Sequence, residues 1–234
     1  MRKLINKIGV LFLIVVLTSC RGLNTNFGNY YLNENKEVNL TDIGYYSKQD
    51  FQKKFKSYTK AYPNDPLPAF FELDSIKLSK QHYKKLNLET HPKDTITSKK
   101  QIAIIGISDK QDLINDINKS FEINDNPLIK PKQNVVTSIA LISNSELQKL
   151  YNADSYYYHF NKNTKAHEII YYIDGEKNIK TIKPKSIIAY QTMTMCWKEE
   201  YGKIVVESLT SKSCPAGTSE NIKKSNKSIR YDKL

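Results

Sequence analysis

The sequence predicts an α+β domain whose sheet is mainly antiparallel and lies in the C-terminal half. Three observations predict it. From Ser155 onward, short runs rich in Tyr, Ile, Val and Thr follow one another with turn residues between them. Asp174-Gly175 sits between two such runs and is a strong hairpin signal. Earlier, two apolar runs, Gln101–Ile107 and Val135–Ile142, each lead into a segment of helical period. No repeat at a fixed period is present.

The elements follow in order. Residues 21–39 carry six asparagines (Asn24, Asn26, Asn29, Asn33, Asn35 and Asn39) and no apolar period, so they are expected to form a flexible tether. About 20 such residues span roughly 25 Å. Within them Tyr30-Tyr31 can dock as a short strand. Ser47 to Tyr58 is expected to be helical, with Ser47 and Asp50 at its start and Phe51, Phe55 and Tyr58 at i, i+4 and i+7. Pro63 to Pro68 is a rigid turn. Ala69 to Leu78 is extended and Ser79 to Leu86 is a short helix.

Glu89 to Lys100, polar and holding Pro92, is loop. Gln101–Ile107 is a buried strand, after which Ser108 or Asp109 caps a helix with Leu113, Ile117 and Phe121 on one face. A loop with Pro127 and Pro131 precedes the strand Val135–Ile142. Ser143 or Ser145 then caps a helix with Leu147 and Leu150. Strands follow at 156–160, 168–173, 179–182, 186–197 and 203–209. The last two form a hairpin around Glu199 to Gly202.

The 234 residues carry a formal charge of +12. Only Arg2, Arg21 and Arg230 are arginines, and the rest of the positive charge is lysine. Arginine is the usual reader of phosphate and base edges, so a nucleic-acid partner is not expected. A solvated lysine surface is the simpler reading.

The first residues describe an export route. Met1 to Lys7 has three positive charges and no acid, and Ile8 to Leu17 is an apolar run. Ten helical residues rise only about 15 Å, and crossing a bilayer takes roughly 20. The run therefore matches the core of a signal peptide. It ends Leu17-Thr18-Ser19-Cys20, which resembles the lipobox of bacterial lipoproteins. That resemblance covers residues 1–20 alone. It implies a diacylglyceryl group on Cys20, cleavage by signal peptidase II before it, and a lipid-anchored, extracytoplasmic protein. Two or three acyl chains anchor stably where one does not. Arg21, in place of the aspartate that retains many such proteins at the inner membrane, favours the outer membrane. The expected organisation is a signal peptide at 1–19, a lipidated N-terminus and tether at 20–40, one domain at 41–217 and a polar tail at 218–234.

Removal of Cys20 from the count leaves Cys196 and Cys214. An even remainder in an exported chain suggests a disulfide. Closing a loop of about 19 residues contributes roughly 3 kcal/mol in the chain-entropy model.

No motif of catalysis is complete. Gly106-Ile-Ser108-Asp109-Lys110 follows a strand, but a nucleophile elbow needs a second small residue where Lys110 stands. Ser57-Tyr-Thr-Lys60 matches S-x-x-K without its companion motifs. His82, His91, His159 and His167 are scattered. His159 and His167 could meet across a hairpin beside Glu168, but they lack a metal-ligand spacing. No metal and no cofactor is expected. Glu72 with Asp74 shares one strand face, and Glu199 with Glu200 marks a hairpin tip.

The unusual feature is aromatic density, with 16 tyrosines and 8 phenylalanines. Tyrosine doublets on strands put one ring inside and one outside. Tyr156, Tyr157, Tyr158, Tyr171 and Tyr172 are therefore the expected binding face, since exposed tyrosines give rigid contact area with a polar tip. The sequence favours a membrane-anchored binding or accessory module with an envelope protein or glycan as partner. The rival readings are a periplasmic hydrolase without a recognisable motif and an immunity-type lipoprotein that intercepts a toxin.

Overall fold

A computed structural model of the chain describes residues 22–25, 28–49, 52–61, 63–88, 99–120 and 132–222. Cys20 and the expected signal peptide lie outside these residues, as do His91, Phe121 and the tail from 223 on. The strands are β1 (Gly22–Thr25), β2 (Gly28–Leu32), β3 (Asp42–Gln49), β4 (Gln52–Lys60), β5 (Leu67–Lys77), β6 (Lys99–Ile107), β7 (Asn134–Ile142), β8 (Ser155–Asn161), β9 (Ala166–Ile173), β10 (Glu176–Ile182), β11 (Ile187–Glu200) and β12 (Lys203–Thr210). The helices are α1 (Lys80–Leu86), α2 (Lys110–Ser120) and α3 (Ser145–Leu150).

All twelve strands belong to one sheet, in the order β1-β2-β11-β7-β6-β5-β8-β9-β10. β12 extends it beside β11, and the β3–β4 hairpin joins at β7. Every pairing among them is antiparallel. The described residues are thus mostly β with three attached helices, and the sheet is not confined to the C-terminal half.

β6 and β7 are the middle of the molecule because both of their faces are covered. Ile102, Ala103, Ile104, Val135, Val136, Ile139 and Ala140 are all fully buried. That is why these runs are mostly apolar on both faces instead of alternating, with Thr137 and Ser138 of β7 as buried polar exceptions. On one face a large core takes in Leu113, Ile114 and Ile117 of α2, Leu147 and Leu150 of α3, and Trp197 of β11. On the other face a smaller core gathers Tyr30, Ile76, Ile102, Ile104 and Ile188, with Leu86 of α1. The sheet curls around this second core, so that β1 approaches β5. The Asp74 carboxylate of β5 lies near enough to Tyr30 of β2 to help burial raise that hydroxyl's pKa, against the lowering effect of its bond with Ser138.

Local chemistry places the helices. Ser79 caps α1 in a reciprocal capping box, its hydroxyl accepting from His82 N–H while Ser79 N–H donates to His82 Nδ1. Asp109 caps α2, its carboxylate accepting from Gln111 and Asp112 N–H. α3 is capped by Asn144, not by either neighbouring serine. Asn118 of α2 then clamps the backbone of β12, accepting from Val206 N–H at 2.8 Å and donating to Val206 C=O at 2.9 Å.

The expected helix over Ser47 to Tyr58 is absent; that stretch is the β3–β4 hairpin, and its tip, with Asp50 and Phe51, lies outside the described residues. Tertiary packing outweighed the helical spacing. Phe55 is buried against Tyr46 and Tyr190 while Lys54 and Lys56 are exposed, which is strand alternation. Ile43 also pairs with Val135 of β7. Gly44 permits the close approach of β3 to β4 at the register shift, since a Cβ there would stand 2.2 Å from the Lys56 carbonyl oxygen.

The stretch expected as tether carries β1 and β2 in its described part. Tyr30 and Leu32 are buried, and Asn33 is held between Val38 and Ile187 by its side-chain amide. At the other end the chain is ordered past Gly217. Ser219 bridges Trp197, and Ile222 enters the main core. Cys196 and Cys214 form a disulfide with Cα atoms 5.5 Å apart.

Candidate functional site: an aromatic cleft between two strands

β5 and β8 pair over only three residues, Leu67–Ala69 against Tyr158–Tyr156. β5 then continues along β6 to Lys77. β8 has no residue left to follow it, because the chain before Ser155 turns toward β9, where Asp154 N–H donates to the Tyr172 carbonyl at 2.8 Å. The divergence opens a cleft of about 410 Å³. Tyr156 and Tyr157 form one wall and Phe70, Phe71 and Glu72 the other, with Asp154 at the rim.

Each wall is fixed by a specific contact. Tyr156 stacks on Phe71 with ring centroids 5.6 Å apart and donates its hydroxyl to the Leu150 carbonyl at 2.6 Å. Its pKa is raised, by burial first and also by the Glu72 and Asp154 carboxylates. Tyr157 leaves the sheet on the opposite face and meets Tyr172 edge to face at 6.1 Å. Its hydroxyl has no hydrogen-bond partner among the described residues. The end of the Phe70 ring reaches over Gly106 of β6, where a Cβ would come within 2.4 Å of two of its carbons. Asp154 is partly engaged, accepting from Asp174 N–H at 3.1 Å. Glu72 is half-buried and has no hydrogen bond or ion pair among the described residues.

The five expected face tyrosines therefore divide. Tyr156 and Tyr157 line the cleft and Tyr172 adjoins it. Tyr171 pairs with Tyr156 across β8 and β9 and packs half-buried on the main core. Tyr158 is fully buried and does not belong to the face. In a run of three tyrosines the first and third share a side, and the main core covers that side at Tyr158.

Tyr158 instead ends a buried polar chain. Lys60 Nζ stands 3.6 Å from Asp42 Oδ1 and 3.4 Å from His167 Nε2. A lysine ammonium has only protons to offer, so Nε2 accepts and the imidazole proton is on Nδ1. Nδ1 lies 2.7 Å from the Tyr158 oxygen. Tyr158 in turn faces Thr41 Oγ1 at 3.2 Å and the Leu40 carbonyl at 3.3 Å, and Thr41 donates to the Ala61 carbonyl. Burial and the Lys60 charge lower the His167 pKa to about 4. Burial raises the Asp42 carboxyl to about 6, opposed by the Asn39 N–H and by Lys60. The network ties the segment before β3, the end of β4 and the β8–β9 hairpin together.

The remaining sequence candidates do not converge. His159 pairs with Glu168 and His167 with Phe160, so the two histidines point to opposite faces. Among the described residues no three His, Cys, Asp or Glu side chains gather as a metal site. Ser108 is exposed beside the cap of α2, and Ser57 lies exposed on β4. Glu72 and Asp74 do share a face, with Asp74 buried and accepting from Ser75 N–H. Phe70 and Asp154 belong to the cleft and escaped the sequence reading. The doublet Phe70-Phe71 carried the same signal as the tyrosine doublets. No helix among the described residues is long and apolar enough to cross a membrane. Comparison with protein-family models, with curated proteins and with solved structures finds no match.

Proposed function

We propose that this chain is a lipid-anchored binding module of a bacterial cell envelope, and that it binds through the cleft between β5 and β8. The lipobox at Leu17–Cys20 supports the anchor. The disulfide between Cys196 and Cys214 accords with an oxidising compartment. The observation that carries the binding reading is the cleft itself. It is open to solvent, it gathers the rings of Phe70, Phe71, Tyr156 and Tyr157 with few polar groups, and among the described residues the Tyr157 hydroxyl and the Glu72 carboxylate are unengaged.

The test has two arms. Palmitate should label the full chain and not Cys20→Ser, and only the labelled form should sediment with membranes. The immobilised protein should retain envelope proteins or envelope glycans, and Tyr157→Ala with Tyr172→Ala should abolish retention while Ser108→Ala leaves it intact. Label on the Cys20→Ser chain overturns the anchor, and retention indifferent to the tyrosines overturns the cleft. A hydrolase is the second reading, favoured by Glu72 and Asp154 sharing one cleft. It requires turnover of glycan or peptide substrates that Glu72→Gln removes.

A further inference from the structure

We propose that the cleft receives an extended segment of a partner polypeptide, which pairs with the open edge of β5 and places a lysine or arginine side chain against Glu72. This rests on the cleft-binding reading above and specifies its ligand.

The first support is the backbone. The β5–β6 register runs from Ala69 to Lys77 without a shift. The Pro68 carbonyl accepts from Ser108 N–H on the β6 side. Backbone groups alternate sides along a strand, so Phe70 and Glu72 are turned to β6 while Ala69, Phe71 and Leu73 are turned outward. β8 takes up Ala69 and ends there. β1 approaches β5 but forms no ladder with it. Among the described residues the N–H and C=O of Phe71 thus border the cleft with no strand paired to them. Such an edge is the template that strand addition uses, with main-chain bonds supplying affinity and neighbouring pockets supplying selectivity.

The second support is charge. The chain carries +12 overall, yet this cleft presents two carboxylates, and the half-buried one, Glu72, has no cation near it to pair with among the described residues. A carboxylate partly withdrawn from water gains from a charged partner that reaches it. Aliphatic stems lie well on Phe70 and Tyr157, and their cationic heads are attracted to the ring faces. An uncharged sugar would use the rings and offer Glu72 neutral hydroxyl donors, without the positive charge that makes the stronger hydrogen bond.

The experiment selects displayed random dodecapeptides on the full chain held in detergent. The expected outcome is a set of binders with lysine or arginine at one fixed position in an otherwise extended, proline-poor sequence. The best binder is then measured by fluorescence anisotropy. Replacing its basic residue with norleucine, or Glu72 with Gln in the protein, should each weaken binding about tenfold or more. N-methylation of alternate peptide amides should weaken it in one phase of the alternation and not in the other. Thermal melting of Glu72→Gln should match the parent, which separates lost binding from lost folding. No binders, binders without a basic position, or affinity unchanged in Glu72→Gln would overturn the proposal. If peptides fail while envelope oligosaccharides bind and Tyr157→Ala abolishes that binding, the cleft reading stands and the peptide inference falls.

Discussion

The Tyr158 hydroxyl and His167 Nδ1 meet 2.7 Å apart in the interior, on diagonal positions of the β8–β9 ladder. The contact is the inner end of a chain that begins at Lys60 and Asp42. Its donors and acceptors follow in one direction, so each member fixes the next.

Tyr158→Phe removes the acceptor for the imidazole proton and leaves a buried N–H unpaired. Leaving such a group unsatisfied costs about 1–3 kcal/mol. Urea unfolding of the variant should show a lower midpoint with an unchanged slope. A loss below about 0.5 kcal/mol would mean that water or another group replaces the hydroxyl.

The same network sets a pH dependence with two opposed parts. His167 titrates near 4 in the folded protein and near its ordinary 6.5 when unfolded. Its contribution is therefore full above 6.5 and is lost as pH falls toward 4. Asp42 behaves in the reverse sense. Its folded pKa of about 6 exceeds the ordinary 3.8, so its contribution is full below 3.8 and is lost as pH rises through 6. Across this window the His167 loss is at most about 3 kcal/mol. His167→Gln should flatten the fall in stability between pH 6.5 and 4, and Asp42→Asn should steepen it. Equal slopes in both variants and the parent would refute the assignment.

Much of this fold could be read from local pattern. The strands over Gln101–Ile107, Val135–Ile142 and the C-terminal series all form, because continuous or alternating apolar runs report burial directly. What failed was where two periods coincide. Phe51, Phe55 and Tyr58 fit a helix, but Phe55 also fits one face of a strand, and contacts from far along the chain, such as Tyr190 against Phe55 and Val135 against Ile43, decide between them. The site was half legible. Tyr156 and Tyr157 were singled out by their doublet logic, while the parity that buries Tyr158 depends on which face β9 and the segment before β3 cover. Glu72 was visible as a carboxylate, but its lack of a partner is a property of the tertiary structure alone.

Tyr201 and Gly202 turn the β11–β12 hairpin with φ of 50° and 77°. Tyr201 is fully exposed. Left-handed backbone suits Asn or Gly at this turn and disfavours an aromatic residue. Tyr201→Asn should therefore stabilise the protein by about 0.5–1 kcal/mol, since the ring gains no burial in return. Differential scanning calorimetry should show a higher Tm. A lower Tm would show that the ring contributes to the folded state beyond its own surface.

The disulfide joins β11 to the segment after β12 across 18 positions. Replacing Cys196 and Cys214 with Ala should cost up to about 3 kcal/mol, chiefly by releasing the unfolded chain. The cost should appear in denaturant midpoints and not in ligand affinity, because neither cysteine lines the cleft. Reduction of the parent under native conditions should reproduce the same loss.

Gly106 connects the core to the cleft. Its missing side chain is what lets the end of the Phe70 ring occupy this space, and a Cβ would stand 2.4 Å from two carbons of that ring and 3.1 Å from Ser138 Oγ. The hydroxyl cannot easily yield, since Ser138 is buried and bonded to Tyr30 at 2.7 Å. The ring must therefore move, and it borders the cleft beside Glu72 and Tyr157. Gly106→Ala should cost about 1–3 kcal/mol of stability through overpacking. It should also weaken ligand capture by more than Ser108→Ala does two residues away, because Ser108 is exposed and outside the cleft. A second variant separates the two effects. Gly106→Ala combined with Phe70→Leu gives the methyl group room and should recover part of the stability, while the cleft still lacks its aromatic wall and capture stays weak. Recovery of capture in the double variant would show that Phe70 does not contribute to binding.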